Sequence, residues 1–128
     1  MTDTANQAME SMRQQLRQRQ CRHTDSALDE PSIAKLLAAV PDWQRDGPRI
    51  VRRFQFDNYY QTLAFVNALA WIVHAEDHHP ELTVTYNTCT VRFDTHSVNG
   101  GKGGLSENDF ICAAKIDLLP RTSMTPAA

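Results

Sequence analysis

The sequence predicts an α+β fold: a four-stranded antiparallel sheet with three helices packed on one face, in the order α-β-β-α-β-β-α. Three observations lead there. Two stretches of alternating apolar and polar residues flank a long segment of helical period, each stretch is broken in its middle by turn residues, and capping residues stand before all three helical segments. With 128 residues and 41% apolar content, the chain can bury one ordinary core but not two. It divides into a mobile extension over residues 1–25, one domain over 26–120 and a frayed tail over 121–128.

The extension is rich in Gln and Arg and poor in large apolar side chains, so it has little to offset the entropy of ordering. Met12 and Leu16 are its only apolar pair at helical spacing, which leaves open a basic helix that recruits a partner. In the first domain helix Asp29 caps, Pro31 lies in the first turn, and Ile33, Leu36, Leu37 and Val40 share a face until Pro41. Trp43 then opens an extended segment that turns at Asp46-Gly-Pro48 and returns through Phe54 and Phe56, which alternate with Arg53 and Gln55. Arg52 and Arg53 read as a solvated strand face in preference to a phosphate or nucleic-acid patch.

Asp57 or Asn58 caps the longest helix, in which Tyr60, Leu63, Val66, Leu69, Ala70 and Val73 recur at three- and four-residue steps. Phe65 and Ile72 widen that surface, so a second face is expected to meet the sheet or another subunit. Pro80 disfavours helical geometry at His79 and stops the helix near Asp77. A second hairpin follows, with Leu82, Val84 and Tyr86 on one strand and Cys89, Val91 and Phe93 on the other, joined near Asn87. The loop Asn99-Gly-Gly-Lys-Gly-Gly104 lacks the Gly-Lys-Ser/Thr ending of a nucleotide cradle. Ser106-Glu-Asn-Asp109 has the form of a capping box, flanked by Leu105 and Phe110, and launches the last helix through Ile111, Ala114 and Leu118.

Composition excludes several function classes. A formal net charge of −2 gives no general attraction to nucleic acid or anionic membrane, so neither is expected as a direct partner. Cys21, Cys89 and Cys112 are odd in number and form no CxxC pair, which argues against a disulfide framework or zinc knuckle and for a reducing, cytoplasmic setting. No apolar run reaches spanning length, and the amino terminus carries acidic residues in place of a hydrophobic leader.

Four of the five histidines lie between positions 74 and 96, and His78 and His79 are adjacent. An imidazole titrates near pH ~6.5, so a cluster of them suits a reaction that gives one proton and takes another. Zinc competes, because His74 and His78 are one helical turn apart and Glu76, Asp77 and His96 are within reach in sequence; the absence of HExxH and of a local cysteine pair weighs against it. Surface histidines at element ends are the third reading.

Asp77-His-His-Pro80, the aromatic Tyr86, Thr95-His96 and Leu105-Ser-Glu-Asn-Asp109 running into Phe110, with Pro41-Asp-Trp43 upstream, together resemble the pterin-4a-carbinolamine dehydratase family over roughly residues 26 to 119. The resemblance implies an α+β domain, and an enzyme that dehydrates 4a-hydroxytetrahydropterin to quinonoid dihydropterin without metal or organic cofactor. It implies that His78, His79 and His96 are catalytic, that Asp77, Pro80, Asp94 and Thr95 contact substrate, and that Asp109 supports the site. It further implies pterin recycling beside an aromatic amino-acid hydroxylase such as phenylalanine hydroxylase, and self-association as a dimer or tetramer. Some relatives act instead as transcriptional co-regulators or assembly factors. Relatives of that kind can lose the histidines, whereas this chain has all three. Two features depart from the family: the interval from His96 to Asp109 is longer, with the excess in the glycine stretch, and His74 stands where an acidic residue is common.

Overall fold

The computed structural model describes residues 2–121, so all but the first residue of the tail lies outside the described part. Helix α1 spans Thr2–Gln18 and α2 spans Glu30–Ala39; strands β1 (Gln44–Asp46) and β2 (Arg49–Gln55) form the first hairpin. Helix α3 (Tyr59–Glu76), strands β3 (Glu81–Val84) and β4 (Thr88–Phe93), and helix α4 (Glu107–Ile116) complete the chain. The four strands make one antiparallel sheet in the order β1-β2-β4-β3.

Register explains the core. Ile50 pairs with Phe93 and Phe54 with Cys89, so alternate residues of the two central strands face the helices. All four of these side chains are buried. Trp43 packs its ring against Phe54 and Phe93 at centroid separations of 6.2 and 6.0 Å, and Phe54 meets Phe65 of α3 at 4.5 Å. On the opposite face Arg53, Glu81 and Thr83 are exposed.

Four helices are present where three are expected, because the amino-terminal segment is not a mobile extension. Leu16 is fully buried and Met12 packs against the core. Arg13 Nε donates to Ala39 O at 2.8 Å and Arg17 Nε to Ala114 O at 3.4 Å, so α1 also supplies donors to carbonyls near the ends of α2 and α4. Such docking leaves little trace in apolar periodicity.

Three smaller expectations also change. Thr62, Phe65 and Leu69 form the buried line of α3, while Tyr60 is 85% exposed. The helix is apolar on several sides, so periodicity alone cannot choose its face; Thr62 Oγ1, 2.9 Å from Asn58 O and 3.0 Å from Tyr86 O, fixes the rotation. Tyr86 lies beyond the end of β3 and stacks on Tyr59 at 6.3 Å. Arg52 belongs to the core face, opposite Val91, with its guanidinium 2.8 Å from Asp117 and 4.4 Å above the Phe54 ring. Burial holds the Asp117 carboxyl above its usual range even though Trp43 and Arg52 both hydrogen-bond to it.

Helix α4 is buried almost all round, from Asn108 to Ala114 and again at Ile116. It packs against α1, α2 and α3. Leu118, expected on its apolar face, lies past its end and is exposed.

Candidate functional site

Three chain segments converge at one end of the sheet. Helix α3 ends at Asp77, whose left-handed backbone (φ 50°, ψ 43°) turns the chain sharply so that His78 leaves the helix pointing inward. Strand β4 ends at Phe93 and delivers Asp94, Thr95 and His96. The first turn of α4 brings Asp109 between them.

Asp109 holds this junction. Its side chain is fully buried and accepts three hydrogen bonds. Oδ2 accepts the Ser106 N–H and the Thr95 hydroxyl, both at 2.9 Å, and Oδ1 meets His78 Nε2 at 2.6 Å. The Ser106 bond is one half of the capping box. One carboxylate therefore starts a helix and orients a histidine. The capping box expected from the sequence is present, and the same carboxylate contacts His78.

His78 is mostly buried and lies parallel to the Phe93 ring, 5.6 Å away at an interplanar angle of 6°. With Nε2 committed to Asp109, its Nδ1 is the atom available to a ligand. His96 and His79 differ. Their side chains are 84% and 70% exposed, His96 Nε2 lies 3.3 Å from Asp94 Oδ1, and His79 Nε2 only 3.9 Å from Asp77 Oδ1. Thr95 is buried and bridges to the glycine loop through its N–H, 2.7 Å from Gly104 O.

Two openings flank the exposed pair. A cavity of about 400 Å³ is lined by Asp77, His78, His79, Asp94, Thr95 and His96 on one side. A second, of about 460 Å³, is lined by His79, Pro80, Asp94 and His96 with Arg49 and Lys102. Each lies within the roughly 300–1,000 Å³ usual for a small-molecule site. His79, Asp94 and His96 line both openings, Asp77, His78 and Thr95 only the first and Pro80 only the second, while the buried Asp109 lines neither. His74 and Tyr86 line neither cavity. Among the described residues no three His, Cys, Asp or Glu side chains come together to hold a metal ion, so His74, His78 and His96 do not form the zinc set weighed in the sequence.

The rest of the first cavity is lined by Cys21, Arg22, His23 and Thr24, with Glu76 and Asn108, none of which the sequence assigned to a pterin pocket. Glu76 accepts the Cys21 N–H at 2.8 Å and the Lys115 ammonium at 2.6 Å. Burial alone would raise its carboxyl, but these partners outweigh burial and hold it below the usual range. Cys21 Sγ lies 3.6 Å from Cys112 Sγ, and contact with that thiol together with burial pushes Cys112 well up. All three cysteines are free. Asn108 lies within the capping-box stretch and Glu76 within the histidine-rich stretch, whereas Arg22, His23 and Thr24 carry no sequence signal.

Similarity to known proteins covers most of the chain. The family model described as pterin 4 alpha carbinolamine dehydratase matches residues 26–119. A protein of Bdellovibrio bacteriovorus is 58% identical over 102 residues, covering 80% of this chain and 85% of its own, and one of Nitrosospira multiformis is 52% identical over 104 residues, covering 79% and 88%. Both carry a provisional pterin-4-alpha-carbinolamine dehydratase name. The crystal structure of a transcriptional coactivator/pterin dehydratase from Brucella melitensis superposes with a TM-score of 0.65 at 30% identity, covering 72% of this chain and 96% of that one. On its sequence and its fold, the chain belongs to the pterin 4 alpha carbinolamine dehydratase family.

Proposed function

We propose that the protein dehydrates a 4a-hydroxytetrahydropterin, the carbinolamine, to the quinonoid dihydropterin. The C4a–OH bond breaks, the N5–H proton leaves, a C4a=N5 bond forms, and hydroxide departs as water. One observation carries the proposal: a buried carboxylate fixes His78 at 2.6 Å beside a cavity whose rim also holds His79 and His96.

The chemistry needs a general acid at the hydroxyl and a base at N5. His78 and His96 share these roles and His79 positions the ring. Asp109 keeps the His78 tautomer fixed, as a carboxylate partner does for many functional imidazoles, and Asp94, 3.3 Å from His96 Nε2, orients the His96 ring. Asp77, Asp94 and Thr95 contact substrate at the first opening, and Pro80 borders the second. The reaction as written consumes no cofactor.

The test follows dehydration of freshly generated 4a-hydroxytetrahydropterin against its spontaneous rate, for the native protein and for His78→Ala, His79→Ala and His96→Ala. Acceleration by the native protein and its loss in His78→Ala and His96→Ala is the expected result. An alanine series in which only His79→Ala abolishes turnover overturns the assignment of roles. A folded native protein with no effect on the rate shifts the reading to a binding, assembly or co-regulator role; the Brucella protein is named a transcriptional coactivator as well as a pterin dehydratase.

The physiological setting that fits this reaction is pterin recycling beside an aromatic amino-acid hydroxylase in the cytosol. Among the described residues no helix is long and apolar enough to cross a membrane. Self-association as a dimer or tetramer is supported by Tyr60 and Trp71, large apolar side chains of α3 that stand 85% and 77% exposed. A light-scattering mass equal to that of the monomer would count against it.

A further inference from the structure

We propose that Cys21–Thr24, in the segment between α1 and α2, is a wall of the substrate pocket, and that Arg22 is a specificity-determining residue of the dehydration proposed above. The inference rests on that reading of the site and adds a part to it. The family model begins only at residue 26, so this wall lies outside the matched domain.

The segment has no helix or strand of its own, yet it is fastened at three points. The Cys21 N–H donates to Glu76 Oε1, two residues before His78 in the chain. Asn108 clamps Arg22 from both sides, its Oδ1 accepting the Arg22 N–H at 3.1 Å and its Nδ2 donating to Arg22 O at 2.6 Å. Ser97 Oγ, one residue after His96, donates to Thr24 O. The anchors thus come from the three segments that carry His78, Asp109 and His96. The wall is therefore tied to all three segments of the site.

This arrangement immobilises the Arg22 backbone and leaves its side chain unengaged. Among the described residues the guanidinium makes no hydrogen bond or ion pair, whereas the neighbouring His23 is occupied by Asp25 at 3.0 Å. A guanidinium offers donors only. Across the cavity the carboxylates of Asp77 and Asp94 offer acceptors and no donor. A planar ring with amide-type carbonyl oxygen on one edge and amino and ring N–H groups on another satisfies both walls. A pterin is such a ring, and Arg22 reads its acceptor edge or the oxygens of its side chain.

Contacts of this kind hold substrate and transition state alike, so their loss raises KM and spares kcat. The experiment compares the full-length native protein with Arg22→Ala and Arg22→Lys in steady-state dehydration and in titration with a stable 7,8-dihydropterin. Arg22→Ala is expected to raise KM and the dihydropterin Kd about tenfold with kcat within about twofold, and Arg22→Lys to recover part of the loss. Because the side chain is exposed, thermal unfolding should not shift. A native enzyme that binds and dehydrates the pterin while Arg22→Ala matches it in KM and Kd overturns the wall and leaves the proposed function standing. A native protein that neither binds nor dehydrates it overturns both. Asn108→Ala supplies a second readout: faster amide exchange at residues 22–24 together with a raised Kd supports the clamp, and a native-like Kd despite faster exchange overturns it.

Discussion

The two halves of the site contrast in burial more than in chemistry. His78 and Asp109 lie inside the protein, joined by a 2.6 Å bond and flanked by Phe93, Thr95 and Ser106. His79 and His96 stand in the open at the rim, each near one carboxylate. The buried half is part of the structure that folds the protein, since the bonds that orient His78 also cap α4. The rim half is attached to the fold but does not support it. Substitutions in the two halves should separate stability from activity.

The largest effect is expected at Asp109→Ala. Loss of the Ser106 N–H bond, which is the cap, costs about 1 kcal/mol, and His78 is left without its buried acceptor at roughly 1–3 kcal/mol, while Thr95 keeps Ser106 Oγ. A total of roughly 2–4 kcal/mol would consume a large part of an ordinary stability margin of roughly 5–15 kcal/mol. Urea unfolding measures it, and an unchanged midpoint would break the claim that the site and the helix start are one unit.

Lys115→Met comes next, at about 3 kcal/mol, because it strands the Glu76 carboxylate among buried neighbours. The pH dependence should also change sign. With Lys115 present the folded-state carboxyl is below its usual value, so its contribution is in place above the unfolded pKa and fades as pH falls through the folded one. Without Lys115, burial becomes the main influence and raises the folded pKa; the protein then loses stability as pH rises through the carboxylate range. Melting temperatures from pH ~3 to ~7 distinguish the two slopes.

His96→Ala should have the smallest effect on folding, within about 0.5 kcal/mol, while lowering dehydration by a factor of roughly 10²–10⁴, as loss of a general acid or base does. A variant that lost both stability and activity would erase the distinction between rim and interior.

The strands, α2, α3 and α4 were legible because their signals are local: Asp29 and Asn58 do cap their helices, and Ser106 with Asp109 does form the box. The motif residues around His78, Asp94 and Asp109 carried the family and the general location of the site. What stayed hidden depends on partners distant in sequence. Arg52 reads as a solvated strand residue until Asp117 and Phe54 are in place around it. The docking of α1 rests on the single apolar pair Met12 and Leu16, too short to show a period, and on two arginine-to-carbonyl bonds. The pocket wall at Cys21–Thr24 follows from that docking, which is why composition pointed to a mobile arm instead.

The double duty of Asp109 has a consequence for how sequences of this kind change over time. Selection for folding alone suffices to keep an aspartate at the third position of that helix, whether or not any turnover is required of the protein. Nothing in the packing makes the same demand of His79 or His96. In a descendant that has abandoned chemistry, the aspartate should therefore persist while the rim histidines drift. The exposed residues, not the buried one, record whether a lineage still works as an enzyme.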